Sequence, residues 1–249
     1  VYVAGGMGGK AQVANFLLDF IPDNEVYAVA KAVKSLFWQH GNRKNKHAAR
    51  LRFVWQKIGA AEFKKLFEQE YAKVKQGSLP PLELPSIINE AQNPAIEIPK
   101  MNEADVSYVL WRQRFVRKQK QTGLWSIIIP VELGFIANLA LAELSAALKP
   151  FGDNTVRLTK EQNFLLRNIN EKYLPYWYNI LKKVLPNFNR PLFYDTLISC
   201  AGAATCQLGI CLSRGLASAI TQKLVSSNLP LDDLQGVKLN ISGCPNSCG

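Results

Sequence analysis

Residues 125–148 have the sequence WSIIIPVELGFIANLALAELSAAL, and this stretch decides the fold class of the chain. The most apolar stretch, Leu124 to Ala142, has nearly the length of a membrane span, but Pro130, Glu132 and Gly134 interrupt it. A charge near the middle of a bilayer costs roughly 2.5–3.5 kcal/mol. We therefore expect a buried strand from Trp125 to Glu132, then a helix from about Ile136 to Leu148, and no association with a membrane.

Similar elements recur on both sides of this stretch. Thr155 to Leu158 is a strand candidate, Phe164 to Asn168 continues it as a hairpin partner, and Glu171 to Leu185 has the spacing of an amphipathic helix. Upstream, Tyr108 to Arg112 is a further strand candidate. Two β-α-β-like units of this kind fit a ferredoxin-like sandwich, so we predict an α+β domain over residues 106–190.

Residues 1–76 have a mainly helical pattern. Val1 to Ala4 has the composition of the end of a buried strand, and the glycine cluster from Gly5 to Gly9 follows as a tight loop. Apolar residues then recur at helical spacing, which predicts four helices. These are a helix around Val13 to Phe20, one from Asn24 to His40 capped by Asp23 or Asn24, one from Lys46 to Ile58, and one from Ala61 to Lys75.

Two further segments complete the domain organisation. Residues 77–105 lose periodicity and are rich in proline, which is typical of a linker or a long surface arm. Residues 191–249 start another domain, with a helix over Leu208 to Val225 and a short strand over Val237 to Ile241. Both ends of the chain fall inside patterned segments, so we expect it to be an interior fragment of a longer protein.

The composition is that of a globular protein with anionic partners. The net charge is +11, and 48% of the residues are hydrophobic. A basic stretch from Arg43 to Lys57 suggests nucleic acid as one such partner, but Phe53 and Trp55 have the spacing of one buried helix face rather than of a stacking groove. We expect no nucleic-acid partner. Because no secretory signal precedes the five cysteines, we expect a reducing, cytoplasmic location.

Four cysteines form two close pairs. Cys200 and Cys206 are separated by five residues, and Cys244 and Cys248 by three. Soft thiolates select zinc or iron–sulfur clusters over hard cations, and a gap of five is wide for zinc. A structural zinc site and unliganded buried cysteines remain the alternatives at this point. Cys211 lies in the predicted helix after Cys206, where we expect it to fill the core.

The paired motif resembles the nitrite/sulfite reductase family. It consists of Cys200-Ala-Gly-Ala-Ala-Thr-Cys206 followed by Ser242-Gly-Cys-Pro-Asn-Ser-Cys-Gly249. Three other stretches are similar to the family in the same order: Gly5-Gly6-Met7-Gly8, the basic segments Gly41-Asn42-Arg43 and Ala49-Arg50-Leu51-Arg52-Phe53, and Arg157-Leu-Thr-Lys-Glu-Gln-Asn163. The resemblance implies a ferredoxin-like (parachute) domain between parts of two sirohaem/[4Fe–4S] domains.

The resemblance also implies a shared redox centre. Cys200, Cys206, Cys244 and Cys248 would hold a [4Fe–4S] cluster, and Cys248 would also be the proximal thiolate of sirohaem, which makes it the catalytic candidate. The implied reaction is the six-electron reduction of sulfite to sulfide or of nitrite to ammonia, with ferredoxin or an NADPH-dependent flavoprotein as electron donor. The alternative is a zinc or iron–sulfur binding module without sirohaem catalysis.

Five further residues are candidates for binding sirohaem. Arg50 takes the place of a family residue that pairs with a sirohaem carboxylate, and Arg43 and Arg52 are candidates for the same role. Gln162 and Asn163 match positions near the macrocycle, with turn formation as their alternative role. The family's main substrate-binding arginines and lysines would lie upstream of Val1, so we expect the fragment alone to be inactive.

Overall fold

The computed structural model describes residues 1–7, 11–45, 48–82, 91–102, 104–227, 229–234 and 236–249. The chain divides into two compact units, Val1–Ser86 and Ile87–Gly249. Each unit has its own hydrophobic core, so each is described by itself. The finer division into four segments made from the sequence stays a prediction.

The first unit is a short hairpin with three helices. Strands β1 (Tyr2–Val3) and β2 (Asn15–Phe16) pair antiparallel, with Tyr2 opposite Phe16. Three helices follow: α1 (Val26–His40), α2 (Leu51–Ile58) and α3 (Ala60–Gln76). Their apolar faces meet in a core whose fully buried members include Leu36, Phe63 and Phe67.

One helix predicted in this unit is wrong. The stretch from Val13 to Phe20 contains strand β2 instead, and Val13 and Phe20 are among the most exposed apolar side chains, while Leu17 is buried. Strand β2 gains its hydrogen bonds from β1, which a local pattern cannot reveal. The other predicted helices are present, although α2 begins at Leu51 rather than Lys46, which lies outside the described residues together with Gly8 and Gly9.

The second unit contains a four-stranded antiparallel sheet in the order β3-β4-β6-β5. Two strand–strand–helix units build it. The first is β3 (Val116–Lys118), β4 (Leu124–Ile129) and α5 (Asn138–Leu148), and the second is β5 (Val156–Leu158), β6 (Phe164–Asn170) and α6 (Leu174–Val184). The two central strands β4 and β6 pair with each other and so join the two strand–strand–helix motifs. The core between sheet and helices is aromatic, with Trp111, Phe115 and Trp177 fully buried.

The strand predicted over Tyr108 to Arg112 is wrong, because these residues lie in helix α4 (Val106–Phe115). Asp105 caps this helix, since its carboxylate accepts hydrogen bonds from the backbone N–H groups of Ser107 at 2.8 Å and Tyr108 at 3.4 Å. Aromatic residues favour strands in isolation, but here Tyr108, Trp111 and Phe115 lie at helical spacing and face the core. The α+β class is confirmed, although each of the two predicted β-α-β-like units is built as strand–strand–helix instead.

The last part of the second unit is a parallel strand pair with one helix. Strand β7 (Leu197–Ser199) pairs with β8 (Leu239–Ile241), and helix α7 (Ser213–Val225) lies between them in the chain. The predicted strand leading to Gly243 is therefore present, while the helix begins at Ser213 rather than Leu208. In the described part of the chain, no helix is both long enough and apolar enough to cross a membrane.

Candidate metal centre

Strands β7 and β8 bring the two cysteine pairs to one end of the strand pair. The strands are parallel and in register, with Leu197 opposite Leu239 and Ser199 opposite Ile241. Cys200 directly follows β7, and Cys244 follows β8 after two residues. Because the carboxyl ends of parallel strands lie at the same edge, the two cysteine loops leave the sheet side by side.

Backbone hydrogen bonds hold the two loops together. The Cys200 N–H donates to the Ile241 carbonyl at 3.1 Å, and the N–H groups of Ile210 and Cys211 both donate to the Gly243 carbonyl, at 2.8 and 3.0 Å. The Cys211 carbonyl in turn accepts from the Ala203 N–H at 3.0 Å. Residues 200–211 and 241–243 therefore form one hydrogen-bonded unit.

Glycines allow these loops to approach closely. Gly202 has φ +62°, and a Cβ atom added there would overlap Ser213 Oγ and lie 2.7 Å from the Cys211 carbonyl oxygen. A Cβ atom at Gly243 would lie 2.8 Å from the same oxygen and 3.0 Å from Gly202 Cα. Any side chain at either position would push the two cysteine loops apart.

All four cysteines of the motif carry free thiols near or at the surface. Cys200 and Cys244 are half-buried, and Cys206 and Cys248 are exposed. Within the described residues, no group of three or more His, Cys, Asp or Glu side chains is already arranged to hold a metal ion. The assignment of the four cysteines as ligands therefore stays a prediction. It is compatible with the two adjacent loops and with four thiols that form no disulfide.

The sulfur of Cys200 lies next to two hydrogen-bonding groups. The Gly243 N–H donates to its Sγ at 3.1 Å, and Ser213 Oγ lies 3.3 Å from the same sulfur. The hydrogen bond with Ser213, followed by that from Gly243, lowers the pKa of the Cys200 thiol below its usual value. These groups favour the thiolate, which is the form that binds metals.

Cys211 does not fill the core as predicted. Its side chain is exposed, and it precedes α7 rather than lying in it. Its backbone, not its sulfur, has the structural role, because its N–H and carbonyl connect the two cysteine loops. Apolar neighbours suggested burial, but Leu208, Ile210 and Leu212 are exposed as well.

Gln162 and Asn163 lie at the turn between β5 and β6, where they contact residues 195–199, which lead into Cys200. Residues 195–249 are called the cysteine segment below. Gln162 has φ +63° and donates through Nε2 to the Ser199 carbonyl at 3.1 Å, while its buried Oε1 has no partner among the described residues. Asn163 is buried, accepts from the Val131 N–H at 2.8 Å and donates to the Asp195 carbonyl at 2.9 Å. Asn163 therefore joins two backbone segments to the turn, and a role toward sirohaem stays a prediction for both residues.

The three candidate arginines lie in the first unit and differ in their surroundings. Arg50 is exposed, precedes α2 and has Nη1 3.4 Å from the Met7 carbonyl oxygen in the glycine loop. Arg43 stacks on Trp38, with its guanidinium carbon 3.6 Å from the ring centroid, and lines a pocket of about 530 Å³. Arg52 is 8% exposed and packs on Phe53. Arg50 thus has the guanidinium most available to an anion.

Sequence reasoning missed two residues in the cysteine segment. Ser213 is 1% exposed and contacts Cys200, yet a single serine in an apolar stretch gives no pattern. Asp195 is buried just before β7, and burial raises its pKa to about 7, although Arg190 opposes the rise. Aspartates are rarely buried, so the sequence did not indicate a buried carboxyl at this position.

Two family models match the chain. The model described as the nitrite and sulphite reductase 4Fe-4S domain matches residues 1–75, and the model described as the nitrite/sulfite reductase ferredoxin-like half domain matches residues 117–184. Together they cover more than half of the chain and confirm its ferredoxin-like part. The matched regions contain none of the five cysteines, which all lie in residues 200–248.

Individual proteins agree with the family models. The chain is 27% identical over 233 residues to a ferredoxin–nitrite reductase of Synechococcus elongatus, covering 91% of this chain and 39% of that protein. It is 26% identical over 253 residues to a sulfite reductase [ferredoxin] of Mycobacterium tuberculosis, covering 100% of this chain and 41% of that one. The solved structure of the Mycobacterium tuberculosis NirA protein shares the fold, with a TM-score of 0.73, 24% identity, and coverage of 99% of this chain and 41% of that chain.

These matches define an oxidoreductase family built on an α+β fold. The chain belongs to the nitrite/sulfite reductase family. It spans about two fifths of the length of the relatives that it matches.

Proposed function

We propose that this chain supplies the [4Fe–4S] cluster ligands of a sirohaem-dependent nitrite or sulfite reductase. The observation that carries the proposal is the parallel pairing of β7 with β8, which puts Cys200 and Cys244 at the same edge of the strand pair. Four thiolates from two adjacent loops form the ligand set of a four-iron cluster. The names of the relatives supply the reaction class and point to ferredoxin as the electron donor.

Each residue then has a defined role. Cys200, Cys206, Cys244 and Cys248 would hold the cluster, and Cys248 would also bind sirohaem. When bound, sirohaem and the cluster supply electrons to sulfite or nitrite. Gly202 and Gly243 keep the two ligand loops in contact, and the N–H of Gly243 donates to Cys200 Sγ.

The basic residues serve the carboxylates of sirohaem in this proposal. Guanidinium groups bind carboxylates bidentately and stay charged at working pH. Arg50 is the leading candidate, because its guanidinium is exposed and makes one long contact with a carbonyl oxygen. Arg43, Arg52 and Gln162 are further candidates. We also propose a cytoplasmic location.

Iron and sulfide analysis after anaerobic reconstitution tests the cluster assignment. We expect about four iron atoms per chain. Cys200→Ser, Cys206→Ser, Cys244→Ser and Cys248→Ser should each lose most of this iron, and Cys248→Ser should also change the sirohaem spectrum. Cys211→Ser is the matched control, because its thiol is exposed in the same segment but lies outside the motif.

The same experiment separates the proposal from a structural zinc site. A colourless protein that holds one zinc ion through the same four cysteines would contradict the cluster. Equal iron loss in Cys211→Ser and in the four motif variants would show that the assignment of ligands is wrong.

A further inference from the structure

Ser213 is a buried hydroxyl that faces a proposed cluster ligand. It is the first residue of α7 and is 1% exposed. Its Oγ lies 3.3 Å from Cys200 Sγ and donates to the Cys200 carbonyl at 2.9 Å. The start of α7 has no side-chain cap, so Ser213 does not serve the role that usually places serine at a helix N-terminus.

The surrounding backbone is shaped around this hydroxyl. A Cβ atom at Gly202 would overlap Ser213 Oγ, and one at Gly243 would lie 3.4 Å from it. Cys200, Gly202 and Gly243 thus enclose the hydroxyl on the side of the cysteine loops. A buried hydroxyl without a hydrogen bond is destabilising, so its partners on Cys200 are needed to keep it there.

The hydroxyl of Ser213 can donate its hydrogen bond to Cys200 Sγ once Cys200 is a metal-bound thiolate. A thiolate can only accept, whereas the hydroxyl of Ser213 can donate to either Cys200 atom. The Cys200 carbonyl has a second donor, because Ser199 Oγ donates to it at 3.1 Å. Turning the Ser213 proton toward the sulfur therefore leaves the carbonyl paired.

We propose that Ser213 is a positioning residue that raises the reduction potential of the cluster through a hydrogen bond to Cys200 Sγ. This inference rests on the proposed function. Reduction adds negative charge to a cluster, so a donor to a ligand sulfur stabilises the reduced form more than the oxidised form. The Gly243 N–H donates to the same sulfur, and Ser213 adds a side-chain donor that mutation can remove.

Spectroelectrochemical titration of the reconstituted protein tests this role. Ser213→Ala and Ser213→Gly both remove the hydroxyl, whereas Ser213→Thr keeps it. Loss of one hydrogen bond to a charged group should lower the reduced-to-oxidised ratio at a fixed ambient potential about ten-fold, or about 59 mV for one electron. Ser213→Thr should stay closer to the unaltered protein than either hydroxyl-free variant. Ser226→Ala is the control, because Ser226 is exposed beyond the far end of α7.

The possible results separate this inference from the proposed function. A cluster that assembles in Ser213→Ala or Ser213→Gly at an unchanged potential would overturn the role of Ser213 alone. So would equal shifts in the Ala, Gly and Thr variants, because they would trace the effect to packing rather than to the hydroxyl. If the unaltered protein assembles no cluster, both the inference and the proposed function fail.

Discussion

Asp195 lies in the turn that leads into β7, and its side chain is fully buried. Its Oδ1 lies 3.4 Å from Arg190 Nη2, while Arg190 Nη1 lies 3.2 Å from Glu132. Removal from water raises the pKa of Asp195 to about 7, and the attraction of Arg190 only partly opposes this effect. Asp195 is therefore a buried acid that stays protonated up to a higher pH than an ordinary aspartate does.

The stability of the fold should depend on pH through Asp195. The unfolded chain ionises this group near its usual pKa, so the stabilising contribution is complete below about pH 4 and is lost as pH rises to about 7. Glu25, Glu70 and Glu161 have lowered pKa values and contribute in the opposite sense. Comparing the unfolding free energy of a variant and of the unaltered protein at each pH, measured by denaturant unfolding, isolates the contribution of Asp195 from that of these glutamates. Asp195→Asn should gain roughly 2–4 kcal/mol relative to the unaltered protein between pH 4 and pH 8.

The exposed Asp233 provides the control for this measurement. Asp233→Asn should leave the pH dependence of the unfolding free energy unchanged. If Asp195→Asn also follows the unaltered protein at every pH, the carboxylate of Asp195 ionises normally in the folded state.

Single residues also show how far the sequence predicts the site. Cysteine spacing predicted that the loops around Cys200 and Cys244 lie together, as they do, while the ligand role of the four cysteines stays a prediction. The contact of Ser213 with Cys200 could not be predicted, since it depends on where α7 begins and on how closely Gly202 approaches. The exposure of Cys211 follows from the same boundary.

At the scale of elements, Asp105 determines where α4 begins. Its carboxylate satisfies two N–H groups that the first turn of a helix leaves unpaired. Asp105→Ala should therefore lower the unfolding free energy of the second unit by about 1 kcal/mol, measured by denaturant unfolding. Asp105→Asn, which keeps a capping oxygen, is the matched control. Equal losses in both variants would assign the effect to charge rather than to capping.

The turn between β5 and β6 connects the sheet to the cysteine segment through Asn163. Asn163→Ala would leave the Val131 N–H and the Asp195 carbonyl without their buried partners. We expect a loss of about 2–4 kcal/mol and faster amide hydrogen exchange in β7. The control is Asn138→Ala at the exposed start of α5, which should change stability by less than about 0.5 kcal/mol. Unchanged exchange in β7 would contradict the connecting role of Asn163.

Elements differ in how well the sequence predicts them. Helices α1, α3 and α5 were predicted because each is long enough to show an apolar period. Strands β1, β2 and β3 have two or three residues each, and their partners rather than their composition define them. Dependence on a partner strand therefore explains why β2 and β3 were not predicted.

For the whole molecule, the candidate residues named from the sequence fall in both compact units. The arginines belong to the first unit and the cysteines to the second. The net charge of +11 is consistent with the anionic partner that the proposed function gives the chain.

A variant in the first unit tests the proposed role of Arg50. Arg50→Ala should lower sirohaem occupancy severalfold, because one guanidinium–carboxylate pair is lost, and should leave cluster iron near normal. Both quantities are measured on the same reconstituted sample. Lys31→Ala, which removes an exposed positive charge from α1, is the control. Unchanged sirohaem occupancy in Arg50→Ala would show that Arg50 does not bind sirohaem and is an ordinary solvated side chain.

The parallel register of β7 with β8 also has a consequence for biosynthesis. Leu197 pairs with Leu239, so the first two motif cysteines leave the ribosome well before the strand that aligns them with the second two. A nascent chain that ends before residue 239 exposes Cys200 and Cys206 without their partners. With the four cysteines as ligands, as proposed, metal delivered during translation would meet an incomplete set of thiols, and loading would have to wait until the final strand has emerged and paired.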